Sequence, residues 1–278
     1  MDTPFVTTEW LAARLDTSDI VVVDASWFLP NANRRPHEEY LAGHIPGAVF
    51  FDIDGIADSS RDLPHMLLPP DAFAHAVGAL SIGDGRTIVV YDEAGLFSAP
   101  RAWWEFVVMG APDVRILEGG GPKWRAEGRP LQSGEVRRAP ETFTPRFRPD
   151  LVRGLGEMRA AIDAGEQIAD ARPAGRFAGR DPEPRPNLPS GHMPGAVNLP
   201  ALDLVADGRL RPLQDLAAMF RGAGLDLDRP IVTTCGSGVT ASTLMLALRL
   251  AGARDVAVYD GSWAEYGADP QARIERDA

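Results

Sequence analysis

Gly43-His44-Ile45-Pro46-Gly47-Ala48-Val49 returns later in the chain as Gly191-His192-Met193-Pro194-Gly195-Ala196-Val197, identical at six of seven positions. Other pairs recur in the same order, at offsets of about 142 to 148 residues. Val22-Val23-Asp24-Ala25 matches Ile168-Ala169-Asp170-Ala171, and Ile88-Val89-Val90-Tyr91-Asp92 matches Ile231-Val232-Thr233-Thr234-Cys235. Leu117-Glu118-Gly119-Gly120 matches Tyr259-Asp260-Gly261-Ser262. Chance similarity rarely preserves order, so the chain reads as two copies of one domain. Its 278 residues are enough for two domains that each bury a core.

Each copy alternates short β-branched runs with longer helical segments, the pattern of parallel strands joined by crossover helices. The expected fold class is α/β, with two domains that are each a mainly parallel sheet carrying helices on both faces. In the first copy, strands are expected near Ile20 to Asp24, Thr87 to Tyr91 and Arg115 to Leu117, with a helix from about Ser98 to Met109. In the second they are expected near Gln167 to Asp170, Pro230 to Thr234 and Val256 to Tyr259. A helix from about Val239 to Ala251 would end at Gly252. Ser133 to Asp150 is rich in Pro, Arg and Thr without an apolar period, which makes it a linker between an N-terminal domain, 1–132, and a C-terminal one, 151–278.

The net charge of −11 disfavours nonspecific binding to nucleic acid or to an anionic membrane, since phosphates are held by clustered Lys and Arg. No uninterrupted apolar run approaches the length of a membrane span, and Met1-Asp2-Thr3-Pro4 opens no basic and apolar leader. A cytoplasmic location is the expectation. The paired tryptophans Trp103-Trp104, with Trp124, are expected to pack into cores.

A single cysteine, Cys235, rules out an intramolecular disulfide and a cysteine cluster for zinc. It follows the apolar run Ile231 to Thr234 and precedes Gly236-Ser237-Gly238-Val239-Thr240, where a helical pattern begins. That is the carboxyl end of a parallel strand, where open α/β sheets place ligands. Two nearby glycines let the backbone curl and aim successive amides inward at a helix N-terminus, an arrangement that stabilises a thiolate. A lone cysteine is more often a small buried residue; strand, glycine-rich loop and helix together favour a reactive one.

The two Gly-His-x-Pro-Gly-Ala segments, the Cys235 loop and the closing Tyr259-Asp260-Gly261-Ser262-Trp263 resemble tandem-domain rhodaneses over nearly the whole chain. In that family only the C-terminal copy is catalytic, and here Asp92 stands where the first copy would need its cysteine. The resemblance therefore implies a non-catalytic first domain and a Cys235 that carries sulfur as a persulfide, with no metal or organic cofactor. Thiosulfate-using members place Arg and Lys directly after the cysteine, whereas this chain has Gly236 and Ser237. Its loop is similar to that of the branch using 3-mercaptopyruvate as sulfur donor. The resemblance implies that Gly236, Gly238, Val239 and Thr240 line the donor site, and that Arg176 and Arg185 bind the donor. Guanidinium groups suit that task, because they grip a planar carboxylate bidentately.

The same resemblance casts Ser237, His65 and Asp54 as a serine-histidine-aspartate arrangement assisting proton transfer. Asp54 and His65 both fall in the first copy, so the site is expected to draw on both. His44 and His192 belong to the repeated turn and are expected to be structural, while Asp170 could orient a substrate arginine or accept backbone amides. The expected reaction has two half-reactions. Cys235 takes sulfur from the donor and releases pyruvate, and then cyanide, a small thiol or reduced thioredoxin removes the sulfur. Thiosulfate:cyanide transfer and a non-enzymatic persulfide relay are the rival functions. A cysteine phosphatase of related fold would need an arginine six positions after the cysteine, where this chain has Ala241.

Overall fold

Ile20-Val21-Val22-Val23-Asp24 is buried at every position, as a parallel strand covered on both faces should be. Ile231–Thr234 and Val256–Tyr259 are buried throughout as well. Branching at Cβ favours the extended backbone and lets neighbouring side chains fill the sheet faces. The computed structural model, which describes residues 3–277, builds two five-stranded sheets from these runs.

The first sheet runs, in spatial order, Phe5–Val6, Val114–Leu117, Thr87–Tyr91, Ile20–Asp24, Val49–Phe50, with every pairing parallel. The second runs Val152–Arg153, Val256–Tyr259, Ile231–Thr234, Gln167–Asp170, Ala196–Asn198, again all parallel. The two orders are equivalent, so the repeat in sequence is a repeat of topology. The expected central strands form within a residue of their expected ends, as do the helices Ala99–Val108 and Val239–Leu250. The edge strands Phe5–Val6 and Val49–Phe50 were not anticipated, because two residues carry no readable period.

By contacts the chain divides into two units. One contains the chain up to Asp58, Leu67–Arg148 and Asp207–Arg209; the other contains Ser59–Met66, Pro149–Ala206 and the chain from Leu210. In the first, Trp124 and Leu11 pack with Val22, Val89 and Ile45 on one sheet face. In the second, Trp263, Tyr259 and Tyr266 pack with Ile168, Val232 and Met193. Of residues 133–150, read as a linker, 133–148 belong to the first unit. There Arg146 N donates to Met109 O at 2.7 Å, and the Phe143 ring sits among Phe73 and Phe106.

The repeated turn does structural work in both units. His44 Nδ1 lies 2.8 Å from Tyr40 O and its ring stacks on Tyr40 at 4.1 Å. His192 Nδ1 lies 3.0 Å from Phe177 O and its ring stacks on Phe177 at 4.0 Å. Gly47 and Gly195 adopt φ of 76° and 72°, which explains the glycine after proline in both copies. Among the described residues no helix is long and apolar enough to cross a membrane.

Candidate active site

Cys235 is the first residue beyond the Ile231–Thr234 strand, and it is buried, with 2% of its surface exposed. Its backbone is clamped by the segment after the neighbouring strand Val256–Tyr259. Ser262 Oγ accepts from Cys235 N at 3.2 Å, Trp263 N donates to Cys235 O at 2.9 Å, and Ala264 N donates to Gly236 O at 3.0 Å. Ser262 holds a left-handed φ of 49°, a conformation that a serine keeps only where its surroundings require it. Gly238 caps the following helix at φ 82°, and Val239 and Thr240 form its first turn. The helix Val239–Leu250 is twelve residues long, so its unpaired first-turn N–H groups and positive end face the cysteine loop.

Both expected arginines reach that loop. A Cβ built on Gly236 would meet Arg176 Nη2 at 3.1 Å and Arg185 Nη1 at 3.8 Å. The glycine is thus the floor on which the two guanidinium groups rest, and a side chain there would press on Arg176. Arg176 comes from the short helix Ala174–Phe177 that follows the Gln167–Asp170 strand, so it enters from the strand next to the cysteine's own.

The network behind Arg176 was not anticipated from the sequence. Glu183, its side chain 2% exposed, accepts from Arg176 through Oε2 (Nε at 3.1 Å, and Nη2) and from Arg172 Nη1 through Oε1 at 2.8 Å. Arg172, 1% exposed, also donates to both carboxylate oxygens of Asp170 and to Gly191 O at 2.7 Å, and it lies over the Trp263 ring at 4.0 Å. Desolvation pulls the Arg172 guanidinium down, but the carboxylates of Asp170 and Glu183 outweigh it and hold its pKa above the usual arginine value. Asp170 therefore grips Arg172 and accepts Arg172 N at 2.9 Å, and among the described residues it is linked to Arg176 through Arg172 and Glu183. The available signal was Asp170-Ala171-Arg172, a charged pair at the end of a buried strand.

His65 Nδ1 lies 3.0 Å from Ser237 Oγ. Although His65 falls within the first copy in sequence, residues 59–66 pack with the second unit, and Arg61 pairs with Glu265 there at 3.6 Å. His65 is buried with a left-handed φ of 58°, which for a histidine marks a position held by its surroundings. Asp54 belongs to the first unit, where Trp27 Nε1 donates to both its carboxylate oxygens at 3.1 Å.

In the first unit the strand Thr87–Tyr91 is followed by Asp92, the counterpart of Cys235. Its carboxylate accepts four backbone N–H groups, from Ala94 at 2.9 Å, Phe97 at 2.8 Å, Ser98 at 2.9 Å and Ala99 at 2.8 Å. The loop keeps its inward amides, but the protein's own carboxylate occupies them.

A buried thiol at a strand-to-helix turn, two guanidinium groups over the adjacent glycine and an imidazole on a nearby hydroxyl can perform nucleophilic transfer on a small carboxylate-bearing substrate. The rhodanese-like domain model matches the chain twice, over residues 7–127 and 155–269, and the chain belongs to that family as a tandem of two such domains. Among its relatives, the 3-mercaptopyruvate sulfurtransferase of Escherichia coli strain K12 is 42% identical, with 98% of this chain and 97% of that one aligned. The human protein of the same name is 38% identical over 94% of this chain and 91% of its own. The crystal structure of SseA from Escherichia coli, described as a 3-mercaptopyruvate sulfotransferase of rhodanese fold, matches with a TM-score of 0.87 and 42% identity, covering 94% of this chain and 99% of that one.

Proposed function

We propose that the protein transfers sulfur from 3-mercaptopyruvate to a thiophilic acceptor through a persulfide on Cys235, releasing pyruvate. The observation that carries this reading is the convergence of Arg176 and Arg185 on Gly236, beside the only cysteine. The thiolate of Cys235 attacks the donor sulfur, forming an S–S bond as the C–S bond breaks and its electron pair passes to the methylene carbon. The resulting pyruvate enolate takes up a proton. Arg176 and Arg185 hold the carboxylate and the keto oxygen, on which negative charge grows as the bond breaks. Ser237, polarised by His65, serves the proton movement. Gly236, Gly238, Val239 and Thr240 supply the loop and the helix end that line the donor site.

In the second half-reaction cyanide, a small thiol or reduced thioredoxin attacks the outer sulfur and returns Cys235 to the thiolate. The first unit, with Asp92 at the corresponding position, carries no cysteine and takes no sulfur. The neutral pair Gly236-Ser237 favours a monocarboxylate donor over dianionic thiosulfate. Steady-state kinetics with both donors test the reading. It expects a higher kcat/KM for 3-mercaptopyruvate, ping-pong patterns and pyruvate equal to sulfur transferred. A large preference for thiosulfate, or stoichiometric persulfide without turnover, would refute it.

A further inference from the structure

We infer that Glu183 is a positioning residue for sulfur donation, holding Arg176 in a single orientation over the cysteine loop and itself fixed from behind by Arg172 and Asp170. This rests on the reading of Arg176 as the group that takes the donor carboxylate.

Glu183 meets Arg176 side-on, its Oε2 accepting from Nε and Nη2. Among the described residues Nη1 of Arg176 has no hydrogen-bond partner, so one donor edge of the guanidinium is anchored and another is left for a ligand. The anchor is itself rigid. Glu183 Oε1 is bound by Arg172, whose remaining donors go to both Asp170 oxygens and Gly191 O, and whose plane lies over the Trp263 ring.

Both ends of this chain are tied to the nucleophile's loop. Asp170 pairs in register with Thr234, the residue before Cys235, and Trp263 N donates to Cys235 O at 2.9 Å. The side chains of Arg172 and Glu183 are 1% and 2% exposed, and ionic groups buried to that degree add little net stability over apolar packing of the same volume. Their arrangement is better explained by geometry: an arginine with several free rotors would lose entropy on gripping a carboxylate, whereas one already anchored by its Nε edge does not.

Ping-pong kinetics separate this role from general structural support, because kcat/KM for donor and for acceptor report different half-reactions. With 3-mercaptopyruvate as donor and 2-mercaptoethanol as acceptor, Glu183→Gln should lower the donor kcat/KM by about tenfold, mainly through KM. The acceptor kcat/KM should stay within about twofold. Glu183→Asp, which keeps the charge, should recover part of the loss. In an Arg176→Ala background, Glu183→Gln should have no further effect on the donor.

An equal fall in donor and acceptor efficiency would overturn the inference, as would a Glu183→Gln effect that persists without Arg176. If Arg176→Ala leaves the donor kcat/KM unchanged, the parent reading fails along with it. If Arg176→Ala lowers it and Glu183→Gln does not, the positioning role alone fails.

Discussion

His65 Nδ1 stands 3.0 Å from Ser237 Oγ, two residues beyond the sulfur of Cys235. The imidazole takes a left-handed backbone to get there, and the segment that carries it packs with the unit containing the cysteine. A hydroxyl held by an imidazole is a polarised proton donor and acceptor. Ser237→Ala and His65→Asn should each lower kcat with 3-mercaptopyruvate by roughly 10- to 100-fold. The double variant should be little worse than either alone, because the two act as a unit. Rates measured for the three variants check this, and additive losses would separate the pair.

Arg176 and Arg185 are expected to act through fork geometry as well as charge. Arg176→Lys and Arg185→Lys keep the charge but lose the fork, and each should raise KM for 3-mercaptopyruvate by about tenfold, a cost near 1.4 kcal/mol. Initial-rate measurements over a donor concentration series read this directly. An unchanged KM would reassign the carboxylate to another group.

Asp92 is fixed in the first unit, with four amides aimed at its side-chain oxygens. Asp92→Ala would leave those buried donors without an acceptor and should destabilise the protein by roughly 2 to 4 kcal/mol. Pyruvate release per folded molecule should stay near the wild-type value if, as proposed, the first unit takes no sulfur. Urea denaturation beside a turnover assay separates the two effects.

Asp24 ends the Ile20–Asp24 strand almost fully buried, and burial pushes its carboxyl from the ordinary 3.8 to about 6, against the opposing hydrogen bonds of Ser26 and Tyr91. The folded state therefore holds the proton more tightly than the unfolded chain. The contribution of this group to stability is fully present below about pH 4 and is lost as pH rises through about 6. Asp24→Asn removes that titration, so its stability relative to wild type should rise between pH 4 and pH 7 by on the order of 2 kcal/mol. Paired urea melts at the two pH values measure the difference, and a pH-independent offset would contradict it.

Much of the fold was legible because the central strands are continuous apolar runs, as burial on both faces demands, and because the Gly-His-x-Pro-Gly-Ala turn needs its left-handed glycine in both copies. The cysteine loop was legible for a similar reason: only one strand-to-helix turn carries a cysteine. Arg172 and Glu183 were not, since an arginine buried between two carboxylates looks in sequence like any polar loop residue. The association of His65 with the second unit was equally hidden. It depends on the packing of residues 59–66, including the pair of Arg61 with Glu265, and no local period encodes such a contact.

Intact-mass spectrometry of the protein after incubation with 3-mercaptopyruvate, without an acceptor, tests Cys235 as sulfur carrier most directly. The wild type should gain the mass of one sulfur, lose it on addition of cyanide, and release one pyruvate per sulfur gained, while Cys235→Ser gains none. Wild-type protein that gains no sulfur, or a Cys235→Ser variant that still does, would contradict it.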